Sequence, residues 1–209
     1  MIMFDYLFES VALGGVVMIP LFIVSVWGWT LALAKTVQFR RELPSDEKFV
    51  ERICEFYQQG RWSDFESHCT SRTLRGKILM KILQNRQSSE AQMIHSLNEF
   101  FLKHWPSLEN GLRTMTLMTT VSPLLGLLGT VSGMIHTFYV ITAFGAGNPV
   151  LMAGGISEAL ITTQFGLVVA FPLMVYANYL NNTKNKIRQV LETIINRILN
   201  IEYGVHSHV

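Results

Sequence analysis

The sequence predicts an all-α polytopic membrane protein with three transmembrane helices, long helices that extend into the cytoplasm and a small cytoplasmic helical bundle. Only 15% of the 209 residues are charged, which is low for a water-soluble domain of this length. The mean hydropathy is positive. Three apolar windows are also long enough to cross a hydrocarbon layer, which takes roughly 20 helical residues. These observations together favour the membrane class.

The three predicted transmembrane helices are residues 11–34, 114–144 and 156–180. A cleaved signal peptide is the alternative for the first window, but such a leader begins with basic residues. The residues before the window contain Asp5 and Glu9 and no Lys or Arg. We therefore expect the first window to remain in the protein. The second window is longer than a bilayer needs, so we expect its helix to continue into the cytoplasm.

The basic residues predict the orientation. Every Lys and Arg lies between Lys35 and Arg113 or between Lys184 and Arg197, and basic loops stay in the cytoplasm. The predicted order is a periplasmic N-terminus, the first span, a cytoplasmic helical domain, the second span, a short periplasmic loop, the third span, and a cytoplasmic C-terminal helix and tail. The parts outside the spans are residues 1–10, 35–113, 145–155 and 181–209. The C-terminus is thus predicted to lie in the cytoplasm and the N-terminus on the opposite side of the membrane.

The predicted cytoplasmic domain contains recognisable helix boundaries. Ser45 is a suitable N-cap for a helix through Tyr57, and Gly60 is a suitable stop. Ser89 and Gln92 fit a capping box at the start of a further helix. No phosphate-binding loop, metal-ligand cluster or nucleophile motif accompanies these signals. We therefore predict neither an enzyme, nor a cofactor site, nor a nucleic-acid-binding protein.

Small and hydroxyl-bearing residues recur in the second and third spans at steps of four, three and four, so each set shares a helix face. Small residues at such spacing let helices approach closely, and hydroxyls can bond across the contact or to water. Helix packing alone is the plainer interpretation. We also predict that Gly129, four residues before Gly133, packs at this helix contact. The two sets are Gly126, Thr130, Gly133 and Thr137, and Ala159, Thr163, Gly166 and Ala170.

Glu158 is the only acidic residue within the predicted spans. An ionised carboxylate in hydrocarbon is costly, so such residues usually face a hydrated path or a bundle interior and are candidates for a functional role. The alternative is that Glu158 lies at the external interface and points to water. Thr162, four residues further on, shares its face more closely than Thr163 does. His136 is the other titratable group, either a proton relay or, as we favour, a hydrogen-bonding structural residue.

Three prolines and two histidines complete the set of candidates. Pro20, Pro123 and Pro172 place one proline in each span, where each is expected to kink its helix. His206 and His208 could contact a metal ion, but a frayed polar tail is the favoured interpretation.

Two segments of the sequence resemble the ExbB/TolQ/MotA proton-channel family, most closely ExbB and TolQ. They are residues 122–138, SPLLGLLGTVSGMIHTF, and residues 155–172, GISEALITTQFGLVVAFP. The resemblance is specific in the second and third spans and extends loosely across the chain through the topology and the large cytoplasmic segment.

This resemblance implies an inner-membrane energy transducer driven by protons. Several copies, five in ExbB-type complexes, would surround single-span ExbD- or TolR-like partners that carry a transmembrane Asp, and a TonB- or TolA-like protein would receive the force. The family's ion-path positions fall on Thr130, Thr163 and Glu158. The sequence departs from the family pattern at Thr162, Gln164 and Phe165. An extra hydroxyl could suit sodium, but protons remain the expected ion.

Three functions therefore stay open. The first is ExbB-like support of TonB-dependent transport across the outer membrane, and the second is a TolQ-like role in envelope integrity or another motor of the same family. The third, from a different class, is a structural membrane scaffold without ion conduction. An independent transporter is disfavoured because three spans lack the inverted repeat of many secondary carriers.

Overall fold

The computed structural model describes residues 14–43, 48–145 and 149–204. All regular secondary structure in these ranges is α-helical, which confirms the predicted fold class. The helices are α1 (Met18–Glu42), α2 (Phe49–Gln58), α3 (Trp62–Ser67), α4 (Leu74–Gln84), α5 (Glu90–Glu109), α6 (Leu112–Phe144) and α7 (Pro149–Tyr203).

Three of these helices, α1, α6 and α7, contain the apolar windows long enough to span a membrane, as the sequence predicts. α7 is 55 residues long, so the third span continues without interruption into the predicted C-terminal helix. It begins at Pro149, seven residues before the predicted start at Ile156. A proline is well accommodated at the first helical position because that residue donates no hydrogen bond within the helix. The predicted periplasmic loop is correspondingly shorter.

A turn at Asn110 and Gly111 separates α5 from α6. The backbone φ of Gly111 is +83°, a value that glycine adopts at little steric cost. The predicted second span, residues 114–144, falls within α6, and the helix before the turn, α5, belongs to the predicted cytoplasmic segment. Pro106 lies inside α5 without ending it.

The predicted helix boundaries at Gly60 and Ser89 are confirmed. Gly60 follows α2 with φ +66°. The backbone N–H of Ser89 donates to Oε1 of Gln92 at 3.2 Å, as a capping box requires. The predicted N-cap at Ser45 lies outside the described residues, as do His206 and His208.

Two compact units divide the described chain. The first, called the membrane unit below, contains residues 14–33, 111–145 and 149–178, that is, most of α1, all of α6 and the first half of α7. The second, called the helical unit, contains residues 34–43, 48–110 and 179–204.

The helical unit has a core of large apolar side chains. Two tyrosines add polar connections to it: Tyr57 donates to Oε2 of Glu202 at 2.9 Å, and Tyr203 donates to the carbonyl of Ser88 at 2.7 Å. Both bonds join the end of α7 to distant parts of the sequence. The fully buried side chains of this unit include Phe39, Ile53, Phe65, Ile78, Leu79, Ile82, Met93, Leu108 and Ile194.

Two buried charges in the helical unit lie at helix ends. Nζ of Lys35 donates to the carbonyls of Ser107 at 2.9 Å and Leu108 at 3.3 Å, in the last turn of α5. Oε2 of Glu42 accepts the backbone N–H of Leu74 at 2.8 Å, in the first turn of α4. A cation at a helix C-terminus and an anion at an N-terminus both complement the helix dipole. Burial lowers the pKa of Lys35 and raises the pKa of Glu42.

The membrane unit shows the opposite pattern. Its large apolar residues are mostly exposed, as expected of a surface that faces lipid or neighbouring subunits. Gly28 of α1 packs against Leu173 of α7, and Trp29 lies 6.1 Å from Tyr176 between ring centroids. The exposed residues include Ile19, Phe22, Ile23, Val26 and Trp27 of α1, Leu124, Leu127, Leu128, Ile135 and Phe138 of α6, and Leu160, Leu167, Val168 and Phe171 of α7.

Candidate ion path

α6 and α7 approach each other closely through small residues. A Cβ atom built on Gly133 would lie 2.8 Å from the carbonyl oxygen of Gly155 and 2.9 Å from Cβ of Ala159. One built on Gly166 would lie 2.9 Å from the carbonyl oxygen of Ser122. These distances are too short for real side chains, so the contact requires glycine. We call this contact the α6–α7 seam; its buried members are Ser122, Gly126, Gly129, Gly133 and Thr137 of α6, and Gly155, Ala159, Thr162 and Gly166 of α7.

The predicted packing residue Gly129 is buried in the seam, as is Thr162, which was predicted for the ion path. Thr130 and Thr163, also predicted for the ion path, are half-buried. A seam between two helices follows steps of three and four residues, and the sequence pattern alone does not decide which step is the shorter. Ala170, the last residue of the predicted α7 stripe, is buried as expected.

The three threonines therefore have different surroundings. Thr162 is fully buried, and its hydroxyl donates to the carbonyl of Ala159 at 2.9 Å in its own helix. The Thr163 hydroxyl donates across the seam to the carbonyl of Gly126 at 3.0 Å. Thr130 is half-buried at the edge of the seam and donates to the carbonyl of Leu127 at 2.7 Å. Only Thr163 links the two helices through its side chain.

Glu158 and His136, named separately as candidates, lie side by side. Nδ1 of His136 is 3.8 Å from Oε2 of Glu158, and their side chains are 62% and 27% exposed. The other carboxylate oxygen lies against Gly15, where a Cβ atom would collide with it. Gly15 has φ +67° and precedes the first turn of α1. The carboxylate thus faces the N-terminal end of α1, where the helix dipole favours negative charge.

Glu158 lies near the start of the predicted third span. From Glu158 to Leu180, where that span is predicted to end, α7 rises roughly 33 Å, about the thickness of the hydrocarbon layer. In the structure, its carboxylate lies next to Gly15, just before the first turn of α1.

The prolines occupy two different settings. Pro20 is the third residue of α1, where the backbone N–H would have no partner within the helix in any case, so a kink is not required there. Pro123 and Pro172 lie inside α6 and α7, and both helices continue through them.

Three residues of this site escaped the sequence reasoning. Ser122 and Gly155 extend the seam at steps of four from Gly126 and Ala159, so a longer search for small residues would have found them. Gly15 is far from Glu158 in sequence, and nothing in its local pattern indicates the contact.

The arrangement has two titratable side chains at one end and a series of hydroxyls leading away from them along α6 and α7. Carboxyl and imidazole groups can accept and release protons, and hydroxyls can hydrogen-bond to water or to a passing ion. This is the chemistry that proton transfer through a helix contact requires.

Known proteins are similar in sequence to this part of the chain. The sequence profile of the MotA/TolQ/ExbB proton channel family matches residues 70–193, which include the whole seam. The ExbB-like 1 protein of Synechocystis is 30% identical over 169 residues, 78% of this chain and 66% of that protein. The ExbB homolog of Methanothermobacter thermautotrophicus is 27% identical over 206 residues, 97% of this chain and 72% of that protein.

A second group of relatives is similar over a shorter range. The Tol-Pal system protein TolQ of Haemophilus influenzae is 39% identical over 83 residues, which are 40% of this chain and 36% of TolQ. The chain thus spans just under two thirds of the Synechocystis relative and about a third of TolQ. The profile covers more than half of this chain, and the three apolar helices agree with a multi-pass protein of the inner membrane. The chain belongs to the MotA/TolQ/ExbB proton channel family.

Proposed function

We propose that this chain is the ExbB-like subunit of a proton-driven motor in the inner membrane. In this proposal several copies, five by analogy with ExbB-type complexes, surround an ExbD-like partner that has one transmembrane helix and an intramembrane Asp. The motor powers TonB-dependent transport across the outer membrane. The observation that carries the proposal is the position of Glu158 and His136 at one end of a glycine-rich seam within the family-matched region.

In the proposed mechanism, Glu158 and His136 form the periplasmic mouth of the ion path. Both side chains are partly exposed, and the Glu158 carboxylate lies next to Gly15 at the N-terminal end of α1. A proton taken up at this mouth is passed inward along the hydroxyl-bearing edges of α6 and α7. The Glu158 carboxyl thus collects protons, while the partner's Asp is the group that carries them across the layer.

The three threonines contribute differently to this path. Thr130 at the edge of the seam is accessible to water and to the partner helix. The hydrogen bond of Thr163 to the Gly126 carbonyl holds α6 and α7 in register while the partner moves. Thr162 is fully buried, so it supports the seam and does not itself contact the ion. Protons are favoured over sodium because the extra hydroxyl, Thr162, has no exposed oxygen surface to offer a hydrated cation.

Replacing Thr163 by Val tests this function. Val preserves the shape of Thr but cannot donate the bond to Gly126, so we expect proton flux through the reconstituted complex to fall at least tenfold while the complex still assembles. The matched control is Thr142→Val, because Thr142 lies on α6, is exposed and donates only within its own helix. Undiminished flux in the Thr163 variant would remove this threonine from the mechanism.

Glu158→Gln separates a motor from a scaffold. Gln preserves the size of the side chain and its ability to accept a hydrogen bond but does not exchange a proton at neutral pH. A motor loses most of its flux in this variant, whereas a structural scaffold conducts no protons in either form and assembles equally well in both.

The TolQ-like alternative differs in the client protein and not in the seam. The ExbB- and TolQ-named relatives match this chain at similar identity over their shared segments. Purification of the complex with its partners therefore provides the test. An ExbD-like chain and a TonB-like chain support the proposal, whereas TolR- and TolA-like chains reassign the motor to envelope integrity.

A further inference from the structure

A cleft of about 350 Å³ opens in the helical unit beside the last two turns of α1. It is independent of the α6–α7 seam and is not used by the proposed mechanism. Its walls come from α1, from the start of α4 and from the last turns of α5. The residues that line it are Ala34, Val37, Gln38, Arg41, Glu42, Arg72, Leu74, Lys77, His104 and Ser107.

Basic side chains dominate this cleft. Arg41 and Arg72 are exposed and Lys77 is half-buried. No salt bridge of the described residues involves Arg41 or Arg72, and Lys77 interacts electrostatically with Glu42. Glu42 is the one carboxylate in the lining; it is buried and accepts the Leu74 N–H at 2.8 Å. The cleft therefore has an excess of positive charge that its own walls do not neutralise.

Lys35 adds a fourth positive charge next to the cleft. Nζ of Lys35 donates to Oε1 of Gln38 at 3.0 Å and to the carbonyl of Ser107 at 2.9 Å, and both acceptors belong to residues that line the cleft. This ammonium is fixed in place, so it adds to the positive potential at no further cost in side-chain ordering.

The sequence predicts that the cleft lies at the level of the lipid headgroups. Ala34 is the last residue of the first predicted span, and Arg41 follows roughly 10 Å further along the same helix. A headgroup layer is about 5–8 Å thick on each side of the hydrocarbon, and long basic side chains reach into it. Val37 is 54% exposed beside the cleft and offers an apolar surface to an acyl chain.

We propose that this cleft binds the phosphate group of an anionic phospholipid from the adjacent leaflet. Arg41, Arg72 and Lys77 hold the phosphate oxygens, and the exposed side chain of Val37 contacts the first part of an acyl chain. Basic pockets next to transmembrane helices have the charge and the depth that anionic headgroups need. Inorganic phosphate has the same charged group but lacks the acyl chain, so the two sources can be told apart.

The test measures radiolabelled phosphatidylglycerol bound to the assembled, detergent-purified complex after gel filtration. Each basic residue near an anionic lipid is worth roughly fivefold in affinity. We therefore expect the R41Q/R72Q/K77Q variant to bind phosphatidylglycerol about a hundredfold more weakly. The control is K103Q/K186Q/R197Q, which removes three exposed positive charges elsewhere in the helical unit and is expected to bind like the wild type. Should the triple variant fail to assemble, R41Q/R72Q alters only exposed side chains and is expected to lose about 25-fold.

Competition identifies the source of the phosphate. Unlabelled phosphatidylglycerol displaces the label, whereas phosphatidylcholine and millimolar inorganic phosphate do not. Displacement by inorganic phosphate would reassign the cleft to a free phosphate and overturn the lipid proposal. Equal losses in the test and control variants, or equal competition by phosphatidylcholine, would also overturn it, because binding would then depend on total charge or on acyl chains alone.

Discussion

The membrane unit and the helical unit bury opposite classes of side chain. The membrane unit buries Gly, Ala, Ser and Thr in its seam and exposes Leu, Ile, Val and Phe. The helical unit buries Leu, Ile, Phe and Tyr and keeps most of its charged residues at the surface.

The difference follows from the solvent. Lipid is as apolar as a leucine side chain, so large apolar residues gain nothing by leaving it, and helices associate through close backbone contact. In water, burial of the same side chains is the main driving force. A substitution should therefore have different consequences in the two units. Two experiments test this contrast, and two more measure the charged residues of the helical unit.

The largest effect is expected from a side chain added to the seam. A Cβ atom on Gly129 would already collide with Thr162, so Gly129→Leu prevents α6 and α7 from packing. We expect a loss of at least about 3 kcal/mol in the free energy of unfolding, at the upper end of overpacking effects. Thermal unfolding in detergent, followed by tryptophan fluorescence, measures it.

Gly154→Leu is the matched control for that experiment. Gly154 lies in α7 of the same membrane unit, but a Cβ atom there would have no neighbour within 4 Å. We expect its stability to change by less than about 0.5 kcal/mol. Equal destabilisation by both substitutions would show that glycine is needed for some reason other than close helix contact.

The next effect compares one aromatic truncation in both units. Phe65→Ala removes a fully buried ring from the helical unit and should cost about 3–5 kcal/mol. Phe171→Ala removes a ring that is 67% exposed in the membrane unit and should cost less than about 1 kcal/mol in a monomeric, detergent-solubilised subunit. If the two costs were similar, the exposed apolar surface of the membrane unit would already be covered within one subunit.

A smaller effect is expected at the buried charge of the helical unit. Burial raises the folded-state pKa of Glu42 above its usual 4.5. At pH values between the unfolded-state pKa and the folded-state pKa, the folded protein therefore binds more protons than the unfolded chain. The stability contributed by Glu42 is therefore greatest at low pH and falls as the pH rises through the folded-state pKa. Unfolding curves recorded across this range should show the decline in the wild type and not in Glu42→Gln. A decline that persists in the variant would assign it to another group.

The smallest effect is expected at a surface ion pair. Nε of Arg188 is 2.6 Å from Oε1 of Glu192 one helical turn away, and the Arg188 side chain is 58% exposed. Exposed pairs of this kind contribute about 0.3–0.5 kcal/mol. Glu192→Gln should thus shift the unfolding midpoint only slightly, and less in high salt, because salt screens the pair. A larger shift would indicate that this carboxylate has a second contact.

Much of the architecture could be predicted because it depends on local or compositional signals. The three spans follow from apolar length, and Gly60 and the Ser89–Gln92 box mark helix boundaries through their own chemistry. The turn at Gly111 lies outside the uncharged window 114–144, so that window gave no signal of where α5 ends. The sequence did not show which of Thr162 and Thr163 is fully buried in the seam, because helical periodicity allows steps of either three or four.

By itself, the sequence determined that this protein has three spans, that Glu158 is the only acid within them, and that it belongs with the proton channels named above. These properties depend on composition, length and short motifs. Only the tertiary structure decided that Glu158 faces His136 and Gly15, that Thr162 closes the seam while Thr163 bonds across it, and that Lys35 and Glu42 are held at helix ends. Each of these contacts joins residues that are far apart in the chain or depends on which side of a helix faces its neighbour, and no local pattern specifies either.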